Sequence, residues 1–239
     1  MTKRCEPVDD RRGFLHHAGS GVFAWEPTRL LTEVQFWLNK NRTKIIGEDN
    51  HLQLESTPSA LKSVRFEICG DDNRIRVEKG VQLTNLTINI KGSGNRFVIG
   101  ENCFIGGWYF SFEDDNGTLT IGKNTSILGA HIVISEPNSK VCIGEDCLMS
   151  FDIDIRSGDS HSIIDIHTNK RINPAQHISI GNHVWISAHA QILKGASIGK
   201  GSVIGAGAVV TRDIPDHSIA VGVPAHVVRT GVTWLREKI

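Results

Sequence analysis

Aliphatic residues recur at intervals of six without a break from Ile180 through Ile186, Ile192, Ile198 and Ile204 to Val210. Four positions after each stands a small or β-branched residue: Val184, Ala190, Ala196, Ser202, Ala208 and Ile214. Six is even, so a strand that alternates in and out returns the same residue to the inside after every unit. A helix of about 3.6 residues per turn would rotate it away. Each unit therefore predicts a short flat strand plus a corner, and such units stack as a solenoid in which every coil hydrogen-bonds to the next. Upstream the period lengthens to 22, with blocks starting at Asn73, Asn95, Gly117 and Ser139 that put Val77, Ile99, Ile121 and Ile143 in equivalent places. A weaker, offset echo lies around Leu52 to Asp72.

The rhythm breaks once. From Ile143 to Ile180 is 37 residues, 15 more than the period, which predicts an insertion of about 162–176 beginning directly after His161. A loop grafted on a rigid repeat scaffold is where function is expected. The first 45 residues differ from the rest: Leu30, Leu31, Val34, Trp37 and Leu38 fall at helical spacing behind Pro27, predicting one amphipathic helix over Pro27–Asn39 that caps the solenoid. The expected organisation is a 1–45 segment with that helix, a β-helix domain over 46–230, and a 231–239 tail.

Composition agrees with an all-β chain. There are 28 Ile and 18 Val against 14 Leu and 12 Ala, and β-branched side chains lose less freedom on a pleated surface than in a helix. Twenty-four Gly and 14 Asn suit many tight corners. Lys plus Arg equals Asp plus Glu at 26 each, so no overall basic field exists to attract nucleic acid or an anionic membrane. No apolar run approaches the roughly 20 residues of a spanning helix, and the polar start lacks a signal-peptide core, which predicts a cytoplasmic protein. Five cysteines without a CxxC pair are expected to be reduced thiols, with Cys103, Cys142 and Cys147 acting as small core residues.

Four motifs give this solenoid a chemistry: SGDSHSI at 157–163, RINP at 171–174, IGNHVWI at 180–186 and VPAHVVR at 223–229. Together with the six hexads they resemble the hexapeptide-repeat O-acetyltransferases, most closely the bacterial capsular polysaccharide enzymes that include those acting on sialic-acid polymers. The tail GVTWLR at 231–236 points weakly the same way. That resemblance implies a left-handed parallel β-helix, a homotrimer with sites between subunits, acetyl-CoA as co-substrate without a metal, and a sugar hydroxyl as acceptor. His161 matches the family's catalytic base, and neutral imidazole suits the task because its pKa near about 6.5 lets it take a hydroxyl proton at neutral pH. Trp185 follows 24 residues later, as in the sugar acetyltransferases, and is implied to wall the thioester channel.

The resemblance also assigns Ala188, Ala206, Thr211, Arg212 and Arg229 to acetyl-CoA, small residues where the pantetheine passes and guanidinium forks for phosphate. Ser187 and His226 depart from the commoner Gly and basic residue. For the acceptor, Arg171 and Asn173 in the insertion, with Lys170, and Trp108 and Tyr109 in an earlier coil offer planar amides and aromatic faces. Asp152, Asp154 and Asp165 are candidates to orient His161. Competing readings are transfer to an amine on an amino sugar or antibiotic, a non-catalytic solenoid, and a zinc lyase of the γ-carbonic-anhydrase type. The last needs a His pair five residues apart, which none of the 11 His residues forms.

Overall fold

The computed structural model describes residues 39–239. The helix expected over Pro27–Asn39 lies, but for its last residue, outside the described residues. Within them the only helical element is a single 3-10 turn, Pro58–Ala60, and everything else regular is strand.

Each coil carries three strands on three faces. The first face stacks His51–Leu54, Arg74–Val77, Arg96–Ile99, Thr118–Ile121, Lys140–Ile143, Ile178–Ile180 and Ser197–Ile198, all parallel. Arg74 pairs with Arg96, Arg96 with Thr118 and Thr118 with Lys140, so the 22-residue period is the pitch of one coil. Downstream the pitch is 18, with Ser179 opposite Ser197. The second face carries the short strands Ser126–Ile127, Leu148–Met149, Trp185–Ile186 and Val203–Ile204. The third carries Ala130–Ile134, Ile153–Arg156, Gln191–Leu193 and Val209–Val210. In the wider upstream coils Gln82–Lys91 and Phe104–Phe112 run across both, so these two faces form one sheet.

The repeat residues meet their expected place. Val77, Ile99, Ile121, Ile143, Ile180 and Ile198 stack with at most 3% exposure, and Val184, Ala190, Ala196, Ser202 and Ala208 close the section from the corners. Each fully buried Ile is worth about 1.5–3 kcal/mol. Longer coils enclose more space, and Phe97 fills it against Phe110 and Phe112 at ring distances of 6.0 and 6.1 Å. At the corner between third and first faces Asn73 Oδ1 accepts from both the backbone N and Nδ2 of Asn95, each at 3.0 Å, a buried amide ladder that pairs corner groups with no strand partner.

Cysteine parity refines the expectation. Cys103 and Cys147 are buried free thiols, whereas Cys142 alternates outward between Val141 and Ile143 and is half-buried. Cys69 is disulfide-bonded, contrary to the reading of all five as reduced: it points outward from the strand whose Phe66 and Ile68 face the core, leaving its sulfur accessible to a partner. No helix among the described residues is long and apolar enough to cross a membrane.

Two departures from the coil matter. The chain leaves at Ser157 and returns at Gln176, whose N–H donates to the Ser157 carbonyl at 2.9 Å, so the insertion is pinched at its base on the third-to-first corner. After the last coil, Ser218–Val221 turns back on His226–Thr230 as an antiparallel pair, and the following tail descends along the first-to-second corner.

Candidate active site

The insertion is built around Asn173, only 6% exposed. Its Nδ2 donates to the His161 carbonyl at 2.7 Å and to Asp159 Oδ2 at 2.8 Å. Its Oδ1 accepts from Ile163 N at 2.6 Å and Arg171 Nε at 3.2 Å. Both donors and both acceptor lone pairs are thus used. Asn173 has no capacity left for a sugar in this conformation and holds the His161 loop instead. Arg171, a second insertion residue expected to meet an acceptor, forms a fork with Glu136, its Nη1 donating to Oε2 at 3.0 Å, while the third, Lys170, is exposed. Lys194 braces the same loop, donating to Asp159 Oδ2 at 2.5 Å and to the Asn173 carbonyl at 3.1 Å. The Lys194 ammonium, and then the Asn173 amide, hold the Asp159 carboxyl below the usual range, and the Arg171 guanidinium does the same for Glu136.

The His161 imidazole is exposed and makes no hydrogen bond to another described residue. Its backbone is clamped while its ring is free, which suits a group that takes a proton from an incoming substrate. None of the proposed orienting carboxylates serves it. Asp154 pairs with Arg156 at 2.7 Å, Asp152 faces His189 at 3.2 Å, and Asp165 caps its own turn through the N–H groups of His167 and Thr168.

The remaining candidates fall into separate groups. Trp185 is 38% exposed and lies in an outward row, Trp185–Val203–Ile219–Arg229, so Arg229 stands three strands along the second face. At about 4.8 Å per strand that is roughly 14 Å. Ala188 and Ala206 lie one coil apart on the next corner, tied by the bond from Gly207 N to the Ala188 carbonyl at 2.9 Å. A Cβ built on Gly207 would meet nothing within 4 Å, so the corner is open at that point. Thr211 and Arg212 belong instead to the third-to-first corner, two coils beyond the point where the insertion leaves. Trp108 and Tyr109 lie in earlier coils: Trp108 is at the bend between second and third faces with φ 118° and 56% exposure, and the Tyr109 hydroxyl accepts from Asn89 Nδ2 at 2.6 Å.

In a three-sided coil the corner joining third and first faces lies across from the second face. His161, Thr211 and Arg212 therefore sit opposite Trp185 and Arg229 within one chain. The structure thus places the members of each group along one side of the coil and the two groups on opposite sides.

Sequence reasoning missed Asp159, Lys194 and Glu136. Asp159 lies inside the quoted SGDSHSI motif, and Lys194 is a charge at a hexad corner; Glu136 leaves no periodic trace.

Stacked hexads with a pinched insertion make a hexapeptide-repeat solenoid, and residues 177–212 match the bacterial transferase hexapeptide family (six repeats). Over 96 residues, 40% of this chain, the sequence is 44% identical to a polysialic acid O-acetyltransferase of Escherichia coli O1:K1 / APEC. The match spans 31% of that relative's length. Among solved structures, the polySia-specific acetyltransferase NeuO superposes with a TM-score of 0.76 at 31% identity, covering 83% of this chain and 90% of that one. The polysialic acid O-acetyltransferase OatWY gives 0.78 at 25% identity, covering 83% and 92%. The chain belongs to the hexapeptide-repeat O-acetyltransferases, left-handed parallel β-helices, in the group that contains the polysialic acid enzymes.

Proposed function

We propose that the protein transfers acetyl from acetyl-CoA directly to a hydroxyl of a sialic-acid-containing bacterial surface glycan. The observation that carries this reading is the His161 loop: a backbone fixed by Asn173 and a ring left open to substrate. The His161 imidazole accepts the hydroxyl proton as the sugar oxygen attacks the thioester carbonyl, and returns it to the departing thiolate. A backbone N–H beside the carbonyl would steady the tetrahedral oxyanion.

Acetyl-CoA fits the open corner at Ala188 and Ala206, with Trp185 as the wall and Arg229 toward the phosphates. Thr211 and Arg212 lie on the corner that carries His161. Because that corner faces away from Trp185 within one chain, we place the site between two copies of a homotrimer, one supplying His161, Thr211 and Arg212 and its neighbour Trp185, Ala188, Ala206 and Arg229. Trp108 and Tyr109 are the remaining candidates for the glycan. Acetyl-CoA is made in the cytoplasm, and we place the enzyme there.

The test is His161→Ala in purified protein, with thiol release from acetyl-CoA followed in the presence of polysialic acid. Loss of about 10²–10⁴-fold in kcat is expected for a general base. Turnover near that of the unmodified protein would rule it out.

A further inference from the structure

The tail after the terminal antiparallel pair is a strap. Val232 N donates to the His217 carbonyl at 3.0 Å, and Val232 O lies 3.2 Å from His217 Nδ1. Two coils lower, Trp234 Nε1 donates to the His183 carbonyl at 2.7 Å, and His183 Nε2 lies 3.0 Å from the Trp234 carbonyl. Lower still, Arg236 donates to Asp146 Oδ1 at 2.9 Å and to the Asn124 carbonyl at 3.2 Å. Five residues, Val232 to Arg236, thus span five turns of one corner and fasten four of them, running against the direction in which the coils rise.

Trp234 is the centre of the strap. It is 6% exposed, its ring lies on that of His183 at 4.3 Å and 7°, and the Arg236 guanidinium sits 5.7 Å over it. His183 is held from its other side by Asp146, 2.7 Å from Nδ1. Burial alone would raise the Asp146 pKa, yet the hydrogen bonds from His183 and Arg236 outweigh it and hold the carboxyl below its usual value. The second contact of Trp234 is Trp185, at 6.2 Å and 51°. Trp185 has solvent on its outward side and occupies a two-residue strand, so its indole lacks a deep pocket of its own.

We infer that Trp234 is a positioning residue for acetyl-CoA binding: anchored by His183, it fixes the Trp185 indole in the orientation that walls the thioester channel. Offset and edge aromatic pairs at this separation prefer defined mutual orientations, so the Trp185 ring is set before the ligand arrives, which favours binding without a new contact to the ligand. The inference rests on the proposed acetyl-CoA site at Trp185.

The experiment is a double-mutant cycle on the full chain with coenzyme A as the probe. Trp234→Leu, Trp185→Ala and the double variant are compared by calorimetric titration, with Trp234→Phe as the conservative partner. The far-ultraviolet exciton signal of the two indoles reports their geometry. Trp234→Leu is expected to weaken coenzyme A binding by about tenfold and to abolish the exciton signal. In the Trp185→Ala background the same change should have no effect on binding, and Trp234→Phe should restore most of the affinity. If Trp234→Leu leaves binding unchanged, or weakens it equally with and without Trp185, the positioning role is overturned. Should Trp234→Leu fail to fold, Trp234→Phe alone, in both backgrounds, decides by the same comparison of affinities. An unmodified protein that shows the exciton signal yet binds no coenzyme A would overturn the proposed acetyl-CoA site, and with it this inference, while leaving the indole geometry in place.

Discussion

The carboxamide of Asn173 donates to the carbonyl of His161 at 2.7 Å while its oxygen accepts from Ile163 N, so one buried side chain grips the chain on both sides of the exposed imidazole. Asn173→Ala leaves these groups without partners at about 1–3 kcal/mol of local stability. Misplacing a reacting group by about 1 Å can cost on the order of 10²-fold in rate. Steady-state kinetics should show kcat falling about 10–100-fold with KM for the glycan near that of the unmodified protein. A rise in KM with kcat retained would return Asn173 to the acceptor-contact role that its sequence position suggests.

Acid should loosen this loop before it melts the solenoid. Asp159 and Glu136 have pKa values lowered in the fold, by Lys194 and Arg171 respectively. Depressed carboxylates contribute stability that is present above their unfolded pKa values, about 3.9 and 4.3, and is lost as pH falls through the lower folded values. Hydrogen exchange at Ile163 and Ile172, corrected for intrinsic rates, should lose protection as pH drops below about 4. Strands such as Arg96–Ile99 should hold. Loop and strand protection collapsing together would show that these pairs do not govern the loop.

The solenoid was legible because its signal is periodic: Ile180 and its successors need the same parity six times over, and only a flat strand supplies it. The insertion was legible as a defect in that period. The work of Asn173 was not, because a sequence shows an amide beside a His but not whether its valences are spent on the backbone. The tail GVTWLR was legible, but not what its Trp234 holds, since the partner His183 is 51 residues away and a single aromatic in a polar tail has no period. The separation of Trp185 from His161 follows only once each is assigned to a face.

The corner thiols should be inert. Burial pushes Cys103 and Cys147 up to about 11, and their sulfurs lie 3.1 and 3.2 Å from the carbonyls of Gly122 and Gly181. Only thiolate reacts, so alkylation at pH about 8 should leave both unmodified in the folded protein and label both in denaturant. Mass spectrometry of peptides carrying each cysteine reads the result directly. Labelling of either without unfolding would mean that the corner opens on its own.

The first-to-second corner also predicts where the scaffold will not accept a methyl group. Gly144 stacks on the turn of the next coil, and a Cβ there would come within 2.6 Å of Gly181 C and Asn182 N, both backbone atoms that cannot swing aside. Gly144→Ala must therefore push two coils apart, at about 1–3 kcal/mol by the usual cost of overpacking. For a chain of this size that corresponds to about 2–12 °C in melting temperature. Gly107 supplies the comparison: its Cβ would meet only the Asn85 carbonyl, at 3.9 Å. Gly107→Ala should shift the midpoint by little, since ordinary van der Waals contact carries no strain and the unfolded chain loses some freedom. Thermal denaturation of both variants decides the matter: equal midpoints would mean that stacked corners yield more easily than close backbone contact allows.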